Sequence, residues 1–218
     1  MLPAIFGLSG LTLTAEEEEL IRRADPLGFI LFARNIDNPQ QVKGLTDSLK
    51  TLTGRDNLPI LIDQEGGRVA RLVPPHWRVW PPALDFAHAY AQSPERGRAA
   101  AVCNYQALAL DLAALGISVN CAPVLDVPET GAHDIIGDRA FGAEPAMVAE
   151  LGAALLEGFA LSGVVGVVKH IPGHGRALAD SHEALPRVTA SIEALNRDLA
   201  PFKALAHAPM AMTAHIVY

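Results

Sequence analysis

Between Lys169 and Val188 the chain reads KHIPGHGRALADSHEALPRV, and its most reactive pairing is Asp180 with His182, two positions apart. An extended or turning backbone at that spacing brings a carboxylate beside an imidazole. Histidine, with an unperturbed pKa of about 6.5, can donate a proton in one step and accept one in the next near neutral pH. A neighbouring carboxylate orients the ring, fixes its tautomer and raises its pKa by stabilising imidazolium. At about 4 Å and an effective dielectric near 20 the attraction is roughly 4 kcal/mol before desolvation is counted. The same spacing also serves an ordinary turn or helix cap, so by itself it proves little. A connection running from Lys169 to about Val188 is long for a compact domain, and such loops are usually binding loops or lids. Gly173 and Gly175 are expected to give the far part, with Asp180 and His182, freedom to swing.

A metal is the rival reading of this segment, because His170 and His174 have the four-residue spacing of helical zinc motifs. Pro172 and Gly173 lie between them, no glutamate follows His170, and the first apolar run, AIFGLSG, has no histidine pair. Those features argue against a shared helical face and against a metal-dependent barrel hydrolase. Lys169 directly follows GVVGVV, where an unpaired ammonium would be costly, and it is expected to have a partner or ligand. In IDQEGGRVARL, Asp63 and Arg71 bracket a turn containing two glycines, which let the backbone turn sharply and pass close to a ligand. Such a pair at a barrel mouth can hold sugar hydroxyls, or be a surface ion pair. Arg139, in IIGDRAFGAEP, is equally open between ligand and solvent. His215, in AMTAHIVY, can face the same mouth or be a buried structural histidine. Cys103 and Cys121 read as small core residues.

Six short apolar runs must position these groups: AIFGL, GFILF, LPILI, ISVNCAPVL, GVVGVV and AMTAHIVY, separated by segments of helical character. This is the pattern of βα units and a parallel sheet. Thr14 with Glu17 and Asn38 with Gln41 fit capping boxes, Pro39 and Pro145 suit first helical positions, and Gly116 and Gly163 mark helix stops. Polar residues follow the strands at one end: Arg34 and Asn35, Asp63 and Glu65, Asp126, then Lys169 and His170. Both a (β/α)8 TIM barrel and a doubly wound sheet gather chemistry at strand C-termini. The barrel is favoured because no dinucleotide fingerprint is present; Gly173-His174-Gly175-Arg176-Ala177-Leu178 fails at the third glycine. A complete barrel takes about 250 residues and eight strands. The 218 residues are therefore expected to form one catalytic barrel, 1–218, truncated after about six strands, with edges that something must cover.

Composition narrows the class further. Half of the residues are hydrophobic and 19% charged, which suits a packed core, and a formal net charge of −7 disfavours nucleic acid as a partner. The amino end lacks the basic segment of a secretion signal, and no apolar run approaches the roughly 18 residues needed to span a bilayer. A soluble, cytoplasmic protein with no membrane partner is expected.

Together, IDQEGGRVARL, NCAPVLDV, IGDRAFG, KHIPGHG with His182 eight residues beyond His174, and MTAHIVY resemble the ordered signature of family 3 glycoside hydrolases of the bacterial β-N-acetylglucosaminidase type. The D-x-H separates this branch from the two-domain β-glucosidases of the family. The resemblance implies that Asp63, Arg71, Arg139, Lys169 and His170 hold a nonreducing terminal N-acetylglucosamine. It implies that His182 is general acid and then base, with Asp180 as partner, in a retaining reaction through a glycosyl-aspartate. It implies no metal or organic cofactor, a monomer when complete, and removal of N-acetylglucosamine from anhydro-muropeptides in peptidoglycan recycling. In the family the nucleophilic aspartate follows the seventh strand; Asp126 belongs to the fourth-strand motif and does not replace it. The 218 residues are accordingly expected to be inactive alone, the alternative being a non-catalytic carbohydrate-binding barrel fragment. Ala140 stands where relatives usually carry serine.

Overall fold

The computed structural model describes residues 1–129, 136–177 and 185–218. Six strands, β1 (Leu2–Gly7), β2 (Pro26–Leu31), β3 (Ile60–Ile62), β4 (Val119–Asn120), β5 (Val165–Ile171) and β6 (Met210–Thr213), form one sheet. All pairings are parallel, and every strand lies beside its sequence neighbour. That order decides between the two architectures. A doubly wound sheet reverses direction at a switch point, whereas a barrel adds each strand beside the last. The described residues thus form six successive strands of a (β/α)8 barrel.

The strands read as continuous apolar runs because both faces are covered. Alternate side chains divide between two layers. Phe29, Leu31, Ile60 and Ile62 join the large cluster under the helices, whereas Leu61, Val119, Cys121 and Val167 form a second cluster with Ile5, Ile30, Met210 and Met212. The second set is the barrel interior.

The helices are α1 (Ala15–Ala24), α2 (Pro39–Thr53), α3 (Ala83–Gln92), α4 (Pro94–Ala114), α5 (Pro145–Leu161) and α6 (Ile192–Ala204). Thr14 and Glu17 make the expected reciprocal capping box on α1. On α2, Asn38 accepts from the Gln41 N–H, but the Gln41 side chain turns to the backbone of Asp37 and to the Leu11 and Asn35 carbonyls, so half of the box is present. Gly116 and Gly163 follow α4 and α5 in left-handed conformations, with φ of 77° and 73°. No described helix is long and apolar enough to cross a membrane.

Three expectations change. Cys121 is buried in the barrel interior, but Cys103 is exposed on the outer side of α4, because its position in that helix falls off the face that meets the sheet. Lys169 and His170 lie inside β5, which continues to Ile171, so the loop begins later than the apolar run suggested. Asn35 is a brace: its amide donates to the carbonyls of Leu8 and Gly10 while its oxygen accepts from Phe32, tying together the ends of β1 and β2.

The helical layer is anchored where α4 meets α5. Tyr105 lies edge-on to Phe159 with centroids 5.9 Å apart, and both are fully buried. Gly158 lets the backbones meet there, since a Cβ would stand 2.6 Å from the Val102 carbonyl oxygen. Replacing Phe159 with alanine should cost about 3–5 kcal/mol in urea unfolding; a loss under 1 kcal/mol would show that this contact does not anchor the layer.

Candidate active site

Where β3 ends, its alternation continues for three residues. Asp63 and Glu65 point to the barrel mouth, while Gln64 points the other way and is buried. Gln64 then organises the turn. Its side-chain oxygen accepts from the backbone of Arg71 and Leu72 at 2.8 and 2.9 Å, its amide donates to Leu72, and its main chain is held by Asn120 on both sides. The returning chain sets Arg71 beside Asp63, Nη2 to Oδ2 3.4 Å. Gly66 and Gly67 are needed for this turn, with φ of 99° and 56°. Their close approach is to their own chain: a Cβ on Gly66 would lie 2.3 Å from the Pro81 carbonyl oxygen.

From β5, Lys169 enters the same space with 2% exposure. Its ammonium donates to Asp63 Oδ1 at 3.0 Å and meets Glu65 Oε1 at 2.6 Å. Arg139, in the short 3-10 turn Gly137–Arg139, donates through Nε and Nη2 to the two Glu65 oxygens, each at 2.8 Å. Burial works against the Lys169 ammonium, but Glu65 and Asp63 outweigh it and hold its pKa above the ordinary value. The Glu65 carboxyl is likewise disfavoured by burial yet kept below its ordinary value by Lys169 and Arg139. The expectation that Lys169 has a partner is met twice.

His170 is oriented from below by Asp126, which is completely buried. Asp126 Oδ2 lies 2.7 Å from His170 Nδ1, and Oδ1 accepts the backbone N–H groups of His170 and His174 at 3.1 and 2.7 Å. One carboxylate therefore fixes the ring tautomer, leaving Nε2 for other chemistry, and holds the start of the loop. A register irregularity between Lys169 and Ile171 accompanies this arrangement, and His170 and Lys169 both line the cavity despite adjacent positions in the strand.

The result is an open cavity of about 410 Å³ at the strand C-termini. It brings together Asp63, Arg71, Arg139, Lys169 and His170, with Ile30, Phe32, Val69 and Met212 as its apolar wall. His215, left open by the sequence, also lines it. Glu65 and His174 line it too, without having been singled out for the site, and Asp126 lies beneath. The period-two spacing of Asp63 and Glu65 was a readable signal; nothing local announced that Asp126 would meet a loop more than forty residues away. Despite Pro172 and Gly173, the His170 and His174 rings meet edge-on at 5.8 Å. Asp180 and His182 lie outside the described residues.

The two glycines in the described part of the loop are closely packed, with Gly173 at a φ of 134°, and the far part that they were expected to let swing lies outside the described residues. Gly175 packs so closely that a Cβ would fall 2.0 Å from the Val127 carbonyl oxygen, and Gly173 lies against Asp198. Arg176 clasps Asp198 through Nε and Nη2 and also pairs with Glu129. Tyr218 donates to the Gly173 carbonyl at 2.7 Å, while Val217 is hydrogen-bonded to Pro186 and Val188.

The Asp126 carboxyl is raised by burial but lowered more by His170 and the hydrogen bonds, and its net pKa lies below the ordinary range. A depressed folded pKa gives stability that is fully present above the unfolded value of about 3.9 and lost as pH falls through the folded pKa. Asp126→Asn should therefore cost about 1.5–3 kcal/mol at pH 7 in urea unfolding. The gap should close under acid; a gap independent of pH would mean that the charge is not its source.

The chain matches the family described as "Glycosyl hydrolase family 3 N terminal domain" over residues 6–218. A beta-hexosaminidase of Alkalilimnicola ehrlichii is 39% identical over 219 residues, covering 99% of this chain and 62% of that protein. One from Pseudomonas aeruginosa is 38% identical over 216 residues, 98% of this chain and 62% of the relative. Native NagZ from Neisseria gonorrhoeae superposes with a TM-score of 0.92 at 36% identity, covering 100% of this chain and 63% of that one. The structure of the same enzyme in complex with N-trifluoroacetyl-D-glucosamine has a TM-score of 0.92 at 36% identity, over 100% of this chain and 64% of that one. The chain spans about three-fifths of the length of these relatives. With sequential parallel strands, a charged mouth and a match across residues 6–218, this chain belongs to glycosyl hydrolase family 3, within its N-terminal domain.

Proposed function

We propose that residues 1–218 are one catalytic barrel portion, the sugar-holding part of a retaining exo-β-N-acetylglucosaminidase. The observation that carries the reading is the convergence of Asp63, Arg71, Arg139, Lys169 and His170 on one cavity with an apolar wall. A terminal N-acetylglucosamine offers hydroxyls to the charged groups and a methyl to the wall, and charge-assisted hydrogen bonds from such groups are strong and directional. The beta-hexosaminidase relatives, and the N-trifluoroacetyl-D-glucosamine complex of the gonococcal enzyme, support this choice of sugar.

In this reading His182 protonates the leaving oxygen and later activates water, with Asp180 orienting its ring. The nucleophile is an aspartate following a seventh strand, as the family resemblance implies, and these residues alone bind sugar without turning it over. The natural substrate is an anhydro-muropeptide carrying terminal N-acetylglucosamine, and the reaction serves cytoplasmic peptidoglycan recycling. The complete enzyme acts as a monomer without a cofactor.

Calorimetry on the 218-residue chain should detect N-acetylglucosamine binding, with glucose weaker. Asp63→Asn should weaken the sugar about tenfold or more, through loss of a charged hydrogen-bond acceptor. Equal affinity for the two sugars, or an indifferent Asp63→Asn, would overturn the reading. In a longer form carrying the seventh strand, His182→Ala should lower kcat/KM for an unactivated substrate by about 10²–10⁴ and flatten its pH profile near neutrality. Full activity with an unchanged profile would remove His182 from the role.

A further inference from the structure

We propose that Glu65 is a positioning residue, whose single buried carboxylate sets the direction of both Lys169 and Arg139 toward the bound sugar and stabilises the Lys169 ammonium. Its own acceptors are committed. Oε1 takes the Lys169 ammonium at 2.6 Å and Arg139 Nη2 at 2.8 Å, and Oε2 takes Arg139 Nε at 2.8 Å. At 7% exposure it lines the cavity beside the two cations it binds.

A buried ion cluster is a poor source of net stability, because desolvation consumes much of the Coulomb gain. Its value lies in geometry. Two cations sharing one carboxylate cannot turn independently, and a bidentate grip fixes the guanidinium plane. Glu65 thereby links β5 to the turn carrying Arg139, in addition to the link that Asp63 makes from Lys169 to Arg71.

The electrostatics point the same way. Lys169 is faced by Asp63 and Glu65 from the end of β3 and by Arg139 from its turn. Arg71 lies beside Asp63, His170 is next in the chain, and the Cys121 thiol, pushed up to about 12, shares the same field. Without Glu65, Asp63 alone would offset the burial of the ammonium and the repulsion from Arg139.

The test rests on the N-acetylglucosamine reading for one readout and is independent of it for the other. Glu65→Gln keeps the shape and removes the charge. Sugar affinity of the 218-residue chain would be measured from pH 6 to pH 11, and the Lys169 side chain would be titrated by NMR. In the variant, Lys169 should lose its proton at lower pH than in the parent. Affinity should fall about tenfold at neutral pH and decline earlier on the alkaline side. Glu65→Asp, with the charge kept and the carboxylate withdrawn, should restore the alkaline limb without restoring full affinity.

Parental Lys169 titration in Glu65→Gln overturns the proposal, as does a parental affinity profile. If Glu65→Gln does not fold, Glu65→Asp decides, and full parental affinity in it has the same force. If neither parent nor variant binds the sugar, the sugar reading fails and the Lys169 titration still judges Glu65.

Discussion

An ammonium shielded from water must be neutralised in place or lose its proton, and much of the mouth is arranged around that requirement for Lys169. Asp63 and Glu65 supply the charge at contact distance. Each carboxylate then needs its own remaining partners, and Arg71 and Arg139 provide them. The web extends from β5 to the exit of β3 and to the turn after the fourth strand. Its directional bonds make one arrangement better than its neighbours, even where the net free energy is small.

Parallel strand order makes such a web possible. Because every strand runs the same way, all the C-terminal ends meet on one face, and side chains from distant segments converge without long detours. Sequence separations of 106 for Lys169 to Asp63 and 44 for His170 to Asp126 become hydrogen-bond distances. The two apolar layers beneath, one inside the barrel and one under the helices, hold those ends in register.

Much of this was legible in the sequence. The six apolar runs located every strand among the described residues, because parallel strands covered on both faces need continuous Val, Ile and Leu. Lys169 announced a partner through the cost of burying its charge. Arg139 and Arg71 were ambiguous, since an arginine in a loop reads alike whether it faces solvent or a carboxylate. Glu65 was hidden in plain sight two positions from Asp63, where strand alternation puts both on one face. Asp126 could not be placed locally, because its partners are two backbone amides and a ring from another βα unit. Gly173 and Gly175 also serve close packing, which the sequence did not announce because glycine suits tight packing as readily as freedom, and only the surrounding backbone shows it. Cys103 misled because its helix is apolar on more than the face that packs.

The short segment beyond β6 has a consequence for the order of folding. Tyr218 holds Gly173, and Val217 bridges to Pro186 and Val188, so neighbouring residues grip both flanks of the loop that leaves β5. During synthesis the flank after β5 can already be held through His174 on Asp126 and Arg176 on Asp198 and Glu129, but the contacts of Tyr218 and Val217 form only once those residues leave the ribosomal tunnel. Those contacts are therefore the last of the set to become possible, and a nascent chain halted just before that segment would have residues for the Asp126 and Arg176 contacts but none for the grip on Gly173, Pro186 and Val188.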